Sequence, residues 1–344
     1  MEFDLMTGGN NLSWAESADL ARKLQGAGFS GLLYTETSSV PWMSITAASM
    51  AAPELFFTTG IAVAFPRSPM VSAAVAYEMA ANTGGQFRLG LGSQVKAHVT
   101  RRYGSEFDRP AARLRDYVLA VKACVRAFNR EEKLNHEGDF YELSLLPPDW
   151  APRAHDHPTP VDISAVGPVM TKVAGEVADG VHVHPLHSMH YIENRLLPGL
   201  AEGAAKTDRN VDDLELIIPV FACPGDTPEE RAVYTAQAKR QIAFYGSTPN
   251  YAFQFDDLGF EGTTAKIRDK FKAGDLATIG DVITDEMLGH YALVSSWDEM
   301  ADALLERYKG TAGRVVMYLG GPQMRKDPTE LGKWGEVARA VRAG

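Results

Sequence analysis

Short apolar segments recur along this chain and are separated by amphipathic ones, a pattern typical of buried parallel strands that alternate with helices. Helix starts are indicated by Ser13 with Glu16 and by Ser296 with Glu299, which have the spacing of a capping box. The predicted strands cover residues 3–6, 32–36, 57–64, the start of 86–98, 161–166, 180–184, 214–220 and 314–319.

Eight strands with a helix between each pair imply parallel pairing, because a parallel connection needs a crossover. No linker rich in glycine or serine divides the chain. We therefore predict an α/β fold, one (β/α)8 TIM barrel that covers residues 1–344 as a single domain, rather than two doubly wound domains. Insertions are expected after the fourth and seventh strands. They comprise a hairpin within 133–142, an excursion over 144–160, and a helical, loop-rich region without a strand over 246–290.

Composition narrows the range of partners. Of the 344 residues, 45% are hydrophobic and 23% are charged, as in a globular protein, and the net charge is −10. With no dense run of Lys or Arg, we expect a small-molecule substrate rather than nucleic acid or a membrane surface. Cys124 and Cys223 lie in apolar settings, which favours buried free thiols. No signal peptide or membrane span is recognisable, so we predict a cytoplasmic protein.

In a TIM barrel the chemistry lies at the C-terminal ends of the strands. This rule nominates Glu36 and the ranges 62–65, 92–98, 164–167 and 182–184. Gly90 and Gly92 remove side chains where the fourth strand ends, so backbone amides could approach a ligand there; a tight turn without a ligand is the alternative. The segment is not a dinucleotide fingerprint, because Val95 stands where the third glycine would be.

Two further positions carry candidate chemistry. Gly167 precedes Pro168 in the first turn of a predicted helix, where free amides and the helix dipole can hold a phosphate; a plain strand-to-helix junction is the alternative. A carboxylate that is desolvated at the end of a buried strand, as Glu36 would be, suits acid–base work. The alternative for Glu36 is a structural ion pair with Arg67 or Lys96.

The histidines suggest a metal site only weakly. His182 and His184 have the spacing of the His-x-His pair of barrel metallohydrolases, and His155 and His157 could add ligands. No further His or Asp pattern completes a ligand set, so we predict no metal. Two histidines on one strand, one facing inward and one outward, are the alternative interpretation.

Four segments together resemble the luciferase-like monooxygenase superfamily, and specifically its coenzyme F420-dependent oxidoreductase branch. They are residues 62–69 after the third strand, 88–94 at the fourth, 165–171 at the fifth and 174–180 before the sixth. The resemblance covers nearly the whole chain. It implies a barrel with insertions, a deazaflavin or flavin across the C-terminal mouth, and a non-proline cis peptide bond between Ala62 and Val63.

The resemblance also implies which residues bind the cofactor. Gly92, Ser93 and His98 match positions that line the ring and its side chain, and Val166 and Gly167 match the phosphate-binding turn. The full set of cofactor-binding residues that we predict is Ala62, Val63, Gly92, Ser93, Gln94, His98, Ala165, Val166, Gly167 and Met170.

One departure from the family concerns the end of the second strand. Sugar-phosphate dehydrogenases of the family carry a histidine base there, whereas this chain has Glu36, Thr37 and Ser38. Sugar-phosphate oxidation is therefore not expected. Glu36 and His98 are the candidate catalytic residues, with water as a further candidate proton donor.

We predict hydride transfer between C5 of coenzyme F420 and a small organic substrate. The protein would orient both partners and supply a proton. Two alternatives stay open: a monooxygenase that uses reduced FMN on the same fold, and a non-catalytic flavin-binding relative. We also expect a homodimer.

Overall fold

The computed structural model describes residues 1–7, 12–321, 324 and 327–344. In this part of the chain eight parallel strands close into a barrel surrounded by helices, which confirms the predicted (β/α)8 fold. The strands, including four short ones outside the ring of eight, are β1 (Glu2–Thr7), β2 (Gly31–Tyr34), β3 (Phe56–Thr59), β4 (Ala62–Val63), β5 (Phe87–Gly92), β6 (His136–Glu137), β7 (Glu142–Leu143), β8 (Val161–Ala165), β9 (Gly180–Val183), β10 (Glu215–Pro224), β11 (Ala292–Ser295) and β12 (Arg314–Met317).

The barrel closes because β1 pairs in parallel with both β2 and β12. Around the barrel the order is β1, β2, β3, β5, β8, β9, β10 and β12, and every neighbouring pair is parallel. In chain order, β5 is thus the fourth barrel strand and β10 is the seventh. The C-terminal ends of all eight strands meet at one mouth.

Helices cover the outside of the barrel. They are α1 (Trp14–Ala27), α2 (Pro41–Ala51), α3 (Pro69–Asn82), α4 (Lys96–Arg101), α5 (Pro110–Phe128), α6 (Pro168–Val177), α7 (Met189–Tyr191), α8 (Leu197–Ala204), α9 (Pro228–Gly246), α10 (Phe253–Asp256), α11 (Thr263–Lys272), α12 (Asp285–Tyr291), α13 (Met300–Tyr308) and α14 (Pro328–Ala343). A π-helical segment, Ile192–Leu196, joins α7 to α8, and 3-10 turns cover Pro148–Trp150, Ala205–Thr207, Val211–Asp213, Pro249–Tyr251 and Ile279–Val282.

Of the two predicted capping boxes, the one at Ser13 is complete and the one at Ser296 is only half formed. Ser13 Oγ accepts from the Glu16 amide at 3.2 Å, and the Glu16 carboxylate accepts from the Ser13 amide at 2.8 Å, which starts α1. Ser296 Oγ likewise accepts from the Glu299 amide at 3.3 Å, although α13 becomes regular only at Met300. Local hydrogen bonding of free helix amides therefore sets the start of α1, whereas α13 has no side-chain bond at its N-cap.

The insertions follow the fourth and seventh barrel strands, as predicted. After β5 come α4, α5, the antiparallel hairpin β6–β7 and an irregular segment that leads to β8. After β10 come α9 to α12 and the unpredicted strand β11, which pairs with the end of β10 in the register Phe221 to Ala292. Four residues are too few for hydrophobic periodicity to reveal a strand.

The third barrel strand is interrupted, which corrects two expectations. Instead of one strand over 57–64, β3 ends at Thr59 and β4 resumes at Ala62, where it pairs with β5. The non-proline cis bond joins Gly60 to Ile61, so the predicted Ala62–Val63 position is wrong. Glycine suits position 60 because a Cβ there would lie 2.4 Å from a Leu33 side-chain carbon.

Buried ion pairs fill the N-terminal end of the barrel. Arg88 of β5 donates to both oxygens of Asp162 at 2.6 and 2.7 Å and to Glu215 at 2.6 Å, so it reaches across the barrel to β10. Arg314 donates to both oxygens of Asp4 at 2.7 and 2.9 Å. Because Arg88 spans from β5 to β10, its side chain must cross the interior. We name these five residues the ionic floor.

An apolar layer formed by three buried side chains, Leu33, Ile217 and Val316, with Met6 packed against them, separates the ionic floor from the mouth. The inward-facing residues therefore change from charged to apolar along the strands. The mouth, on the other side of this layer, is where barrels of this fold carry their chemistry.

Replacing Arg88 with leucine should destabilise the fold strongly. The side chain of Arg88 is 11% exposed and that of Asp162 is fully buried, so Arg88→Leu leaves buried carboxylates without their partner. We expect the free energy of unfolding in urea to fall by about 3–5 kcal/mol. Arg126→Leu is the matched control, because the Arg126–Glu132 pair is about half exposed on both sides, and its loss should stay within about 1 kcal/mol. Equal losses in the two variants would contradict a stabilising role for the ionic floor.

Candidate active site at the barrel mouth

Glu36 follows β2 and is held by an arginine. Its side chain is 2% exposed. Arg67 Nη2 donates to Oε1 at 2.5 Å and Nη1 donates to Oε2 at 2.8 Å, while the Val63 amide donates to Oε2 at 2.8 Å. Arg67 Nη1 also donates to the Val63 carbonyl at 2.8 Å. The ion pair thus holds both the N–H and the C=O of Val63, and we call this arrangement the Val63 bracket.

The Val63 bracket bears on the predicted role of Glu36. Of the two partners named from the sequence, Arg67 is the one that pairs with it. Both carboxylate oxygens accept hydrogen bonds from groups that hold the backbone in place. A catalytic role for Glu36 stays a prediction, and the geometry gives this residue a positioning role that needs no substrate.

Neighbouring protein atoms leave no room for a side chain at either glycine of β5, Gly90 or Gly92. A Cβ on Gly90 would lie 1.9 Å from the Thr59 carbonyl oxygen and 2.3 Å from His182 Nε2. A Cβ on Gly92 would lie 2.7 Å from Ile61 Cδ1 and from Ser164 Oγ. The prediction was that the missing side chains of both glycines let a ligand approach the backbone. In the structure, neighbouring protein atoms occupy that space instead.

The loop after β5 carries several predicted residues. Ser93 Oγ donates to the Gln94 carbonyl at 3.3 Å, and Gln94 has a left-handed backbone with φ of 57°. Gln94 Oε1 accepts from the Val95 amide at 2.9 Å. His98 lies on α4, where it is exposed next to the exposed Lys96. This loop thus presents Ser93 and Gln94 at the strand end and cationic side chains farther out.

The strand-to-helix turn after β8 is open. Gly167 is the N-cap of α6 with φ of −81°, and a Cβ there would meet no atom within 4 Å. The first intrahelical bond runs from the Thr171 amide to the Gly167 carbonyl at 3.0 Å, so earlier amides have no partner within the helix. Tyr191 donates to the Val166 carbonyl at 2.9 Å and fixes the turn from outside. The geometry fits an anion and also fits the alternative of a simple junction.

The structure brings some of the predicted cofactor residues together. Ala62 and Val63 of β4 pair with Leu91 and Gly92 of β5, and Gly92 contacts Ser164 on β8. Ala165 ends β8 and leads into the open turn, and Met170 lies partly buried in the first turn of α6. Three neighbouring strand ends thus form a continuous backbone surface. His98 is separated from it by the loop, and no described contact joins its ring to these strands.

The two strand histidines share one face. A side chain on Gly90, two residues after the inward-facing Arg88, would collide with His182, so His182 lies inside the barrel. His184 is two residues farther on and projects on the same side at the mouth. The interpretation with one histidine inward and one outward is therefore wrong, because side chains alternate along a strand and residues two apart share a face.

Burial and the nearby charge of Arg88 lower the pKa of His182 to about 3. The ring is therefore neutral at pH 7, and its 3.8 Å approach to Asp162 is not an ion pair. Among the residues that the structure describes, no group of three His, Cys, Asp or Glu side chains is arranged to hold a metal ion.

A group of aromatic residues at the mouth was missed from the sequence. The His184 ring lies 4.7 Å from the centroids of both Tyr245 and Tyr251, and the hydroxyls of Tyr245 and Tyr318 are hydrogen-bonded. All four residues are partly exposed. We call this group the aromatic wall. Tyr318 could have been nominated, because it lies in the last predicted strand; Tyr245 and Tyr251 come from the insertion after β10, which carries no motif.

The aromatic wall is uncharged at neutral pH. Burial lowers the pKa of His184 to about 4, and its Nδ1 accepts from the Leu186 amide at 3.1 Å, so its proton is on Nε2. Burial raises the pKa values of Tyr245, Tyr251 and Tyr318. Each ring therefore keeps its neutral form.

A separate cavity of about 890 Å³ lies outside the barrel, between α3 and the segment after the hairpin. Its lining is mostly apolar and includes Met70, Tyr77, Phe128 and Trp150. None of the predicted site residues lines it, so it does not belong to the mouth.

The fold and the mouth together define a class of protein: a (β/α)8 barrel in which an interrupted third strand, two glycines and an open helix turn meet where such barrels carry their chemistry. A family model described as luciferase-like monooxygenase matches residues 1–314. The chain belongs to this family, which supports an oxidoreductase or a monooxygenase.

Relatives agree with this assignment. An uncharacterized protein of Mycobacterium tuberculosis is 35% identical over 303 residues, which cover 88% of this chain and 89% of that protein. The F420-dependent glucose-6-phosphate dehydrogenase of Amycolatopsis mediterranei is 30% identical over 166 residues, 47% of this chain and 48% of the relative. The coenzyme F420-dependent tetrahydromethanopterin reductase of Methanopyrus kandleri has the same fold, with a TM-score of 0.76 at 18% identity over 97% of both chains. Solved structures with this fold also include monooxygenases.

No helix in the described ranges is both long and apolar enough to cross a membrane.

Replacing Glu36 with glutamine should loosen the Val63 bracket. The amide keeps the shape of the side chain but leaves the buried Arg67 without a counter-charge. We expect the free energy of unfolding to fall by about 2–3 kcal/mol, measured by urea denaturation. Asp19→Asn is the control, since the Asp19–Lys23 pair has side chains that are 50% and 58% exposed, and it should cost less than about 1 kcal/mol. If Glu36→Gln is as stable as the control, the bracket does not hold the mouth together.

Proposed function

We propose that this protein is a coenzyme F420-dependent oxidoreductase that transfers a hydride between the deazaflavin C5 and a small organic substrate. Family membership supports it, as do relatives whose names specify coenzyme F420. The observation that carries the proposal is the continuous backbone surface of β4, β5 and β8, which ends at an open helix N-terminus. A flat ring system with a phosphate-bearing side chain suits such a surface.

The residues present fit this group. The space around Gly167 is free of protein atoms, so a phosphate can approach the first amides of α6 without displacing a side chain. Ala62, Val63, Gly92 and Ser93 would hold the ring, and Val166 and Gly167 would hold the phosphate. Gln94, His98, Ala165 and Met170 would complete the binding surface. When bound, the cofactor would supply hydride chemistry at C5.

The contribution of the chain itself is orientation and proton supply. The Val63 bracket fixes the peptide that would lie behind the ring. His98 is exposed on α4 and can exchange protons with solvent, so it is the more accessible of the two predicted catalytic residues. Glu36 would act mainly through the backbone that it holds, and water remains a candidate donor.

Sugar-phosphate oxidation is not part of the proposal. The Amycolatopsis relative that is named for this activity aligns with only 47% of the chain. At the end of β2 this chain has Glu36, Thr37 and Ser38 where the sugar-phosphate dehydrogenases would carry a histidine base. The Glu36 carboxylate is also paired with Arg67, which is a further difference from a histidine base.

A monooxygenase that uses reduced FMN is the second candidate, favoured by the structural match to a long-chain alkane monooxygenase, with a TM-score of 0.64 at 13% identity. A non-catalytic flavin-binding relative would keep the backbone surface without turnover. A homodimer and a cytoplasmic location stay predictions.

Titration with both cofactors separates these candidates. We expect the purified protein to bind coenzyme F420 with a Kd at least about tenfold lower than its Kd for FMN, a difference of about 1.4 kcal/mol. Fluorescence of each cofactor provides the measurement. Micromolar binding of FMN with no binding of coenzyme F420 would contradict the proposal. Tight cofactor binding without turnover of any tested reductant would favour the non-catalytic relative.

Replacing Gly167 with leucine should weaken cofactor binding and leave the fold intact. A Cβ at Gly167 meets no atom within 4 Å and the backbone φ of −81° suits any residue, so the new side chain starts in open space beside the amides proposed to hold the phosphate. We expect the Kd for coenzyme F420 to rise about tenfold or more.

Gly26→Leu is the control for this variant, because Gly26 is equally uncrowded but lies on α1 at the other end of the barrel. The thermal midpoint of both variants should stay close to that of the parent. An unchanged Kd in Gly167→Leu would show that the phosphate binds elsewhere.

A further inference from the structure

The aromatic wall continues the inward-facing side of the barrel. Val316 of β12 belongs to the buried apolar layer, and Tyr318 follows it by two residues. His184 has the same relation to the inward-facing His182. Side chains two apart on a strand share a face, so Tyr318 and His184 project into the mouth from β12 and β9, which lie four and two strands from β5 around the barrel.

The ring of Phe221 closes this side from β10. It is 1% exposed and lies 5.1 Å from Tyr318, centroid to centroid, in an edge-on contact. Tyr245 from the end of α9 and Tyr251 from the following turn complete the surface. The mouth therefore has a backbone side, from β4 to β8, and an aromatic side, from β9 to β12.

The aromatic wall has two hydrogen-bond donors without a partner in the described part of the chain. The hydroxyls of Tyr245 and Tyr318 bond to each other and to no other described residue, so one hydrogen lies between them and the second is available. His184 keeps its proton on Nε2, because Nδ1 accepts from a backbone amide, and no described residue accepts from that Nε2–H. Both donors are partly exposed.

Among the described residues, no Lys or Arg side chain hydrogen-bonds to the aromatic wall or lies over one of its rings. The pKa values of Tyr245, Tyr251 and Tyr318 are shifted by burial first and then by neighbouring tyrosines, without any Lys or Arg. Tyr191, outside the aromatic wall, differs because Arg195 acts on its pKa. A phosphate or carboxylate placed against the aromatic wall would be desolvated without a counter-charge, which is costly.

We propose that the aromatic wall selects an uncharged substrate, a compound in which a carbonyl or hydroxyl oxygen is attached to a hydrocarbon body. The oxygen accepts from the Tyr245–Tyr318 hydroxyl pair and from His184, and the hydrocarbon body packs on the ring of Tyr251. This inference rests on the proposed function, because it places the substrate opposite the backbone surface where the cofactor would lie.

Binding of small neutral ketones tests the inference without turnover. The probes are acetone, cyclohexanone and 4-tert-butylcyclohexanone, each compared with a carboxylate of similar size, namely acetate, cyclohexanecarboxylate and 4-tert-butylcyclohexanecarboxylate. Saturation-transfer NMR and calorimetry on the full chain, with and without coenzyme F420, give the Kd values. We expect at least one ketone to bind more tightly than its matched carboxylate.

Tyr318→Phe removes one hydroxyl of the pair and keeps the ring. We expect it to raise the Kd of the bound ketone about three- to tenfold, and Tyr245→Phe to do the same. Tyr77→Phe is the control, because it removes a hydroxyl bonded to Asn129 at 2.6 Å on the outer helices, and it should leave ketone binding unchanged. The Kd for coenzyme F420 should not change in any of the three variants.

Three results would overturn the inference: tighter binding of the carboxylates, ketone binding that is insensitive to Tyr318→Phe and Tyr245→Phe, or no binding of any ketone. The cofactor titration tests the proposed function independently of the ketone measurements. If the ketones discriminate as expected but coenzyme F420 does not bind, the proposed function is wrong and the selectivity of the aromatic wall stands. If coenzyme F420 binds but the ketones do not discriminate, the proposed function survives and this inference falls.

Discussion

The mouth of this barrel depends on one buried ion pair. β4 contains only two residues, and so short a ladder cannot hold the interrupted third strand in place by itself. The Val63 bracket supplies the missing hydrogen bonds from side chains, since Glu36 accepts from the Val63 amide and Arg67 donates to the Val63 carbonyl. Val63 pairs with Gly92, and Ser164 lies next to Gly92. Fixing the Val63 peptide therefore helps to fix the ends of β4, β5 and β8 relative to one another.

The barrel separates stability from chemistry along its axis. The ionic floor is enclosed near the N-terminal ends of the strands, where every charge has a partner, and an apolar layer seals it from the mouth. The mouth itself has two different sides. Small residues expose backbone on the side of β5, and large rings cover the side of β12. A ligand that contacts both sides meets directional backbone groups on one face and neutral rings on the other.

The sequence predicted the features that depend on local pattern. Strand and helix alternation gave the barrel, and Ser13 with Glu16 gave the start of α1, because periodicity and capping are local. It named Arg67 as a possible partner of Glu36 but could not choose it over Lys96, since that choice depends on how β2 and β4 approach each other. The resemblance implied a cis bond but placed it at Ala62–Val63 instead of Gly60–Ile61. The neighbours of Gly90 were missed because they lie on other strands, among them His182.

The Val63 bracket also constrains where a proton can come from. A proton on Glu36 would remove the negative charge that pairs with Arg67, and so would weaken the anchor of the peptide behind the proposed ring. Because the proposed reaction needs a fixed ring and a mobile proton, we expect one set of groups to hold the ring and another to supply the proton. In the proposed reaction His98 or water would supply the proton without disturbing the bracket, and the hydroxyl pair of the aromatic wall would polarise the substrate oxygen. The proposed reaction therefore leaves the Glu36 carboxylate in its structural role and assigns proton transfer to other groups at the mouth.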